Sequence, residues 1–448
     1  MTATERVLSR KTVAGYAIGS LGTGGFSTLP GLVLVYYLTD TLGVAALAAG
    51  LLVTVAKVWD VIIDPVIGAR SDRSRFMTGS RRRFMVLGGA LLPVFFILTF
   101  AVPSGTDPAL AGVWVLVAFI LAATAFSLYQ VPYIALPAEL SGDYDQRTRL
   151  LTWRVVVLTL AILLFGAGGP ALRSLGGGSD FLGYLLMAVV AGLVIGGGML
   201  ASVFVAGRDR PDPAAAARVS IRQNYAAGIA LLRRSQPMRA LLLTYLLQGL
   251  ATGMMLAGAQ YVATWVLHSE DAVTFLFLAL IAPALLAAPL WGVVARRIGK
   301  ERSFFAASAI FGIAALCLLG LAWAPGAWVY LPVAVAGAAY AGMQSLPMAM
   351  LPDVISHDAV QHGEGQAGAF GGMWTAGETT GMALGSTALT IVLAATGYAQ
   401  STAAQSVTQS SAAVLGIVLS FSLVPAAIIG LSLLSLRRYG LRRADVDA

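Results

Sequence analysis

The sequence predicts an all-α membrane protein of twelve transmembrane helices arranged as two pseudo-symmetric six-helix bundles. Three observations predict it. Of 448 residues, 58% are hydrophobic and only 11% charged, with a mean hydropathy of +0.81, whereas soluble domains carry about 25% charged residues. Twelve apolar runs are each long enough to cross ~30 Å of hydrocarbon as a helix. The basic residues also alternate between the gaps, as a multi-span topology requires.

The first span is expected near 13–37, behind a short polar segment (MTATERVLSRK) without a signal-peptide cleavage pattern. Span 2, near 45–68, contains Lys57, Asp60 and Asp64, and the gap after it holds Asp72, Arg73 and the run Arg81-Arg82-Arg83. Spans 3 and 4 fall near 84–103 and 110–135, the latter carrying Ser127, Tyr129, Gln130 and Tyr133. Span 5, near 150–172, includes Arg154, and span 6 lies near 181–206. The longest hydrophilic stretch, 207–237, follows, and its IRQNYAAGIALLRR portion has the composition of an amphipathic helix on the membrane surface. Span 7 (238–267) carries Gln248, Tyr261 and Trp265; span 8 (272–295) ends at Arg296, Arg297 and Lys300. Spans 9 to 12 are expected near 303–323, 328–350 with Gln344, 367–395 with Trp374 and Glu378, and 411–436. The domains are therefore a bundle over 1–206, a cytoplasmic linker over 207–237 and a bundle over 238–448.

Charge orients the chain. The tails and even-numbered gaps hold 26 of the 29 Lys and Arg, counting Arg239 at the edge of span 7. Lys57 and Arg154 fall within spans, and Arg173 alone lies opposite. Both termini are thus expected in the cytoplasm. The net charge of +8 reflects topology and contact with anionic lipid, not nucleic acid. Basic residues are nearly all arginine, which with abundant Ala and Gly suggests a GC-rich bacterial genome and an inner-membrane location.

The halves echo each other. Gly68-Ala-Arg-Ser-Asp72-Arg73 after span 2 is matched by Gly292-Val-Val-Ala-Arg296-Arg297-Ile-Gly299-Lys300 after span 8. Pro132 to Pro137 closing span 4 is matched by Pro347 to Pro352 closing span 10. Such repeats mark transporters built from two bundles around a midplane site.

Three acids sit at bilayer depth: Asp60, Asp64 and Glu378. A carboxylate there costs several kcal/mol unless it faces a cavity or partner, so these mark an ion or substrate path. Asp60 and Asp64 are four residues apart, on one helix face. Two carboxylates a turn apart repel when both are ionised, so the pair holds a proton or a metal cation between its oxygens. The plainer alternative is an (i, i+3) ion pair of Asp60 with Lys57. For Glu378, ion pairing with Arg154 or Lys57 competes with proton or solute binding.

These residues resemble the glycoside–pentoside–hexuronide:cation symporter family, melibiose permease-like members of the major facilitator superfamily. The likeness is carried by Trp59-Asp60-x-x-x-Asp64-Pro65-x-x-Gly68, by Pro132-Tyr133, Asp143 to Leu150 and Trp153-Arg154, by Gly292 to Lys300, and by Leu346-Pro347 to Asp353 with Gly363 to Trp374. The resemblance implies that Asp60 and Asp64 bind the coupling cation, with Ser127 in the place of a family threonine. A family asparagine is Ile63 here. The family's sugar-binding carboxylate positions fall near Thr23-Gly24 and at Gln130, its stacking aromatic at Ile134, and a span-11 lysine at Thr379. Arg154 matches a family arginine.

The expected function is H⁺- or Na⁺-coupled symport of a small, sugar- or glycoside-like solute by alternating access. Cation contacts are Asp60, Asp64, Ser127 and Lys57. Solute contacts are Gln130, Tyr133, Arg154, Gln344, Trp374 and Glu378, and a cytoplasmic gate is formed by Asp72, Arg73, Arg296 and Arg297. A lipid, amphiphile or drug carrier on the same fold is the alternative. An enzyme is not expected, since no nucleophile–base set or phosphate-cradling loop occurs. His268, His357 and His362 lack metal-site spacing, and the single cysteine, Cys317, admits no disulfide within the chain. The expected partners are the solute, the cation and membrane lipid, with no cofactor, and the protein is expected to be a monomer.

Overall fold

Apolar runs buried in lipid can satisfy their backbone polar groups only by closing hydrogen bonds within the segment, so they become helices. In a computed structural model, residues 8–78, 80–140, 144–177, 179–205, 232–362, 367–402 and 407–441 are described. The predicted amphipathic helix within 221–234 falls largely outside them, as does Gly363-Glu-Gly365.

The first span is α1 (Arg10–Ile18) and α2 (Ser20–Tyr36), continuing into a π-helical turn at Tyr37–Thr41. It is followed by α3 (Ala46–Thr78), α4 (Arg82–Phe100), α5 (Pro108–Leu140), α6 (Tyr144–Ser174) and α7 (Asp180–Val203). Next come α8 (Gln236–Tyr261), with a second π-turn at Val262–Val266, then α9 (Ala272–Ile298), α10 (Lys300–Cys317), α11 (Tyr330–His362), α12 (Ala367–Ala395), α13 (Ser411–Phe421) and α14 (Leu423–Leu436). Eleven helical segments among the described residues are long and apolar enough to cross a membrane. α12, with 29 residues, lies where the remaining span is expected. Among the described residues there is no strand, only one antiparallel bridge between Leu42 and Thr402.

Three helices outrun their apolar runs: α3, α5 and α11 each extend for 33 residues. Once a helix is nucleated, adding polar residues beyond the membrane costs little, and local partners hold the extension. In α3 that partner is Arg81, whose guanidinium lies 2.5 Å from Asp72 and 2.9 Å from the Ser71 hydroxyl.

The chain forms two compact units: Met1–Pro30 with Val55–Arg218, and Gly31–Thr54 with Val219–Ala448. In the first, α4 packs on α5 and α7, and α1 on α6 and α7. In the second, α10 packs on α11 and α14, and α8 on α12 and α14. Spans 3 and 9, and spans 1 and 7, thus choose equivalent neighbours. Close approach of α8 and α12 requires glycine: a Cβ at Gly253 would sit 2.6 Å from the Met382 carbonyl oxygen, and one at Gly385 2.5 Å from the Met254 nitrogen.

The repeat is sharpest at the two π-turns. Leu42 N–H donates to Tyr37 O and Val44 N–H to Leu38 O, just as Leu267 donates to Val262 and Ser269 to Ala263. Each turn leads to a left-handed residue, Gly43 at φ 68° and His268 at φ 52°.

Candidate functional site

In the first unit, α3 carries Asp60 and Asp64 one turn apart, and Trp59 pins it to α5 by donating to the Thr124 hydroxyl at 2.8 Å. Lys57 Nζ lies 3.4 Å from Asp60 Oδ2 and also faces the rings of Phe26 and Phe119 at 5.7 and 5.9 Å. Ser127, on α5, lies beside Asp64. The Oδ1 atoms of both aspartates are buried without a hydrogen-bond partner. A buried carboxylate oxygen with no donor is unusual in a folded protein and is relieved by a proton or a cation. The structure therefore brings together all four residues expected at the cation site.

Tyr133 is fully buried: its hydroxyl donates to Tyr16 O at 2.8 Å and lies 3.0 Å from Ser20 Oγ. Its ring stacks between Tyr16 and Tyr129 and faces the Arg154 guanidinium at 5.7 Å. Arg154 Nε is buried and unpartnered. Gln130 Oε1 accepts from Thr23 Oγ1 at 2.7 Å. The two positions that the family resemblance gives as sugar carboxylates are thus a neutral hydrogen-bonded pair in this chain. Ile134, at the stacking position, is 53% exposed.

In the second unit, Tyr245 of α8 lies within hydrogen-bond distance of two acceptors, Gln344 Oε1 at 2.9 Å and Glu378 Oε1 at 3.0 Å. Gln344 Nε2 donates to the Tyr340 hydroxyl at 2.7 Å. Trp374 stacks on Tyr245 with ring centroids 4.3 Å apart, and its indole N–H is buried without an acceptor. A cavity of about 10 Å³ adjoins Glu378, between α8, α11 and α12. That is room for about one water-sized sphere.

Of the expected gate residues, Asp72 pairs with Arg81, while Arg73, Arg296 and Arg297 are exposed. Within the second unit are two pairs absent from the sequence reading, Lys300–Asp353 at 2.6 Å and Arg234–Asp358 at 2.5 Å. Tyr245 and Tyr340 were also missed as site residues. The signal for them is a polar stripe at helical spacing in otherwise apolar spans: Tyr245, Gln248 and Thr252 on α8, Tyr340 and Gln344 on α11.

A second missed cluster surrounds Asp40, buried at 7% exposure. Its Oδ1 accepts from the Tyr398 hydroxyl at 2.6 Å and the Trp265 indole at 3.2 Å, and its Oδ2 from Thr39 at 2.6 Å. The Tyr261 hydroxyl meets that of Thr39 at 2.6 Å.

Residues 15–443 match the family described as MFS/sugar transport protein. The uncharacterized symporter sll1374 of Synechocystis sp. is 33% identical over 171 residues, 36% of this chain but only 31% of that protein. The glucuronide carrier protein homolog of Escherichia coli (strain K12) is 25% identical over 429 residues, 93% of this chain and 90% of that protein. The solved structure of the nucleoside transporter NupG superposes with a TM-score of 0.68 at 12% identity, covering 95% of this chain and 99% of that one. At that identity the likeness concerns the fold.

Proposed function

This chain belongs to the MFS/sugar transport family, the glycoside–pentoside–hexuronide:cation symporter group of the major facilitator superfamily, and on that premise we propose that it is a secondary active transporter. It couples entry of H⁺ or Na⁺ to uptake of a small organic solute of sugar or glycoside type. The observation that carries this reading is the Asp60–Asp64 pair, with Ser127 on one carboxylate, Lys57 on the other, and a buried, unpartnered oxygen on each. A cation entering between them satisfies both oxygens and cancels their repulsion. Each charge moved down the membrane potential supplies ~2.3 kcal/mol per 100 mV.

Gln130, Tyr133 and Arg154 on one half, with Gln344, Trp374 and Glu378 on the other, are the proposed solute contacts. The Thr23–Gln130 pair supports a solute held by neutral hydrogen bonds at the positions where the resemblance gives carboxylates. The halves are 1–206 and 238–448, joined by a cytoplasmic linker over 207–237, and act as a monomer in a bacterial inner membrane with both termini cytoplasmic. On the cytoplasmic side Asp72, Arg73, Arg296 and Arg297 form the gate, to which the Lys300–Asp353 pair is added.

The test is uptake by proteoliposomes, with imposed Na⁺ or H⁺ gradients, after a thermal-shift screen of glycosides, pentoses, uronates, nucleosides and lysolipids with and without Na⁺. A bound ligand must raise apparent stability. A sugar shift enlarged by Na⁺ supports the reading. A response to amphiphiles alone, indifferent to Na⁺, replaces it with a lipid or drug carrier.

A further inference from the structure

The cavity beside Glu378 is too small for a sugar, and the hydrogen bonds around it count out to a surplus of acceptors. Gln248 lines it and is 2% exposed. Its Nε2 donates to Ser308 Oγ at 2.8 Å and Ser432 Oγ at 3.3 Å. Both of those hydroxyls spend their own hydrogens on backbone carbonyls, of Phe304 and Ile429. Only the amide nitrogen can therefore face the serines, which fixes the orientation of the amide. Gln248 Oε1 is left buried and without a donor.

Thr252, one turn on, gives its hydrogen to Gln248 O and keeps only lone pairs for the cavity. Tyr245 has one hydroxyl hydrogen for two acceptors, Gln344 Oε1 and Glu378 Oε1. The titratable groups facing Glu378 are Tyr245 of α8 and Tyr340 of α11, both phenols, and among the described residues no Lys, Arg or His lines the cavity. Glu378, Gln248 and Thr252, a carboxylate, an amide and a hydroxyl, thus line one space of about 10 Å³. Oxygen-only ligands around a one-atom void suit a hard cation. A water would satisfy hydrogen bonds but would leave an ionised Glu378 uncompensated.

We propose that the second unit holds its own monovalent-cation site, Na⁺ or a proton, formed by Glu378, Gln248 Oε1 and Thr252 Oγ1. It is separate from Asp60 and Asp64 and assigns Glu378 to the cation, in place of the solute contact given above. The inference does not depend on transport.

The experiment is equilibrium ²²Na⁺ binding to the purified full-length protein, paired with proton release measured in unbuffered solution. The proteins are the native chain, Asp60→Asn/Asp64→Asn, Glu378→Gln, Thr252→Val and the Asp60→Asn/Asp64→Asn/Glu378→Gln triple variant. The double variant is expected to retain about one Na⁺ per chain, or one titratable proton, that the triple variant lacks. Glu378→Gln keeps a partner for Tyr245, and Thr252→Val removes one oxygen at constant shape. The valine variant should weaken Na⁺ binding about tenfold if Na⁺ is the occupant, and leave the proton count unchanged if H⁺ is. Monodispersity and an unaltered unfolding midpoint certify folding. The site is refuted if the folded double and triple variants bind neither Na⁺ nor a distinguishable proton.

Discussion

Trp265 donates its indole N–H to the carboxylate of Asp40 at 3.2 Å, across a sequence separation of 225. The same separation relates Tyr36 to Tyr261, whose rings meet edge to face at 5.1 Å. Counterparts in the repeat therefore bind one another at the two π-turns.

Asp40 organises that meeting, and its loss should be costly. Hydrogen bonds to a charged group contribute about 1.5–3 kcal/mol each, and stripping a buried acceptor also strands its donors. Tyr398→Phe and Trp265→Phe should each lower the apparent unfolding midpoint in detergent, and Asp40→Ala should lower it further. An Asp40→Ala protein as stable as the native one would contradict this.

Burial and the neighbouring Asp40 carboxylate raise the Tyr398 phenol well above its ordinary range. A folded-state value above the unfolded one gives stability that is intact below the ordinary phenol range of about 10 and is lost as pH rises beyond it. The native protein should thus lose stability above about pH 10 more steeply than Tyr398→Phe. Equal slopes in parallel alkaline melts would count against the assignment.

Asp60→Asn and Asp64→Asn should each abolish uphill accumulation in proteoliposomes while solute exchange persists, because the amide keeps shape but removes the charge that attracts the cation. Full accumulation by both variants would end the coupling role. Solute-induced thermal shifts in the same variants report whether the fold survives.

Gln130→Leu removes the acceptor of Thr23 and should raise the solute concentration for half-maximal uptake about tenfold, or ~1.4 kcal/mol. The dependence on Na⁺ or H⁺ should not change. A shift in cation dependence instead would place Gln130 with the cation.

Gly253→Val and Gly385→Val put a branched side chain where α8 and α12 touch by backbone. Overpacking of this kind costs about 1–3 kcal/mol, read as a lower unfolding midpoint and reduced yield of folded protein. Gly105→Ala, with no atom within 4 Å of its Cβ position but φ at 81°, should cost only its backbone strain.

Much of this was legible in the sequence, because lipid leaves a chain few choices. Apolar length located the spans, and the spacing of Asp60 and Asp64 placed them on one face with Lys57. Ser127 was reached only through resemblance, since a lone serine in an apolar helix usually bonds its own backbone. Asp40 was missed because the first apolar run stops near Tyr37, while the helix continues through a π-turn to Thr41. Its partners Tyr398 and Ser401 lie more than 350 residues away, a pairing no local pattern announces. Tyr245 was lost among membrane aromatics, although its register with Gln248 and Thr252 was visible.

The twin π-turns, one closed by Gly43 and the other by His268, also bear on ancestry. Six spans separate the two copies, and six is even. A gene segment encoding six spans can be joined to its own duplicate and both copies enter the membrane in the same sense, with no reversal of orientation to evolve afterwards. Gly43 makes the left-handed bend without steric cost, whereas His268 makes it against one, so the packing around the second copy must hold the bend in place.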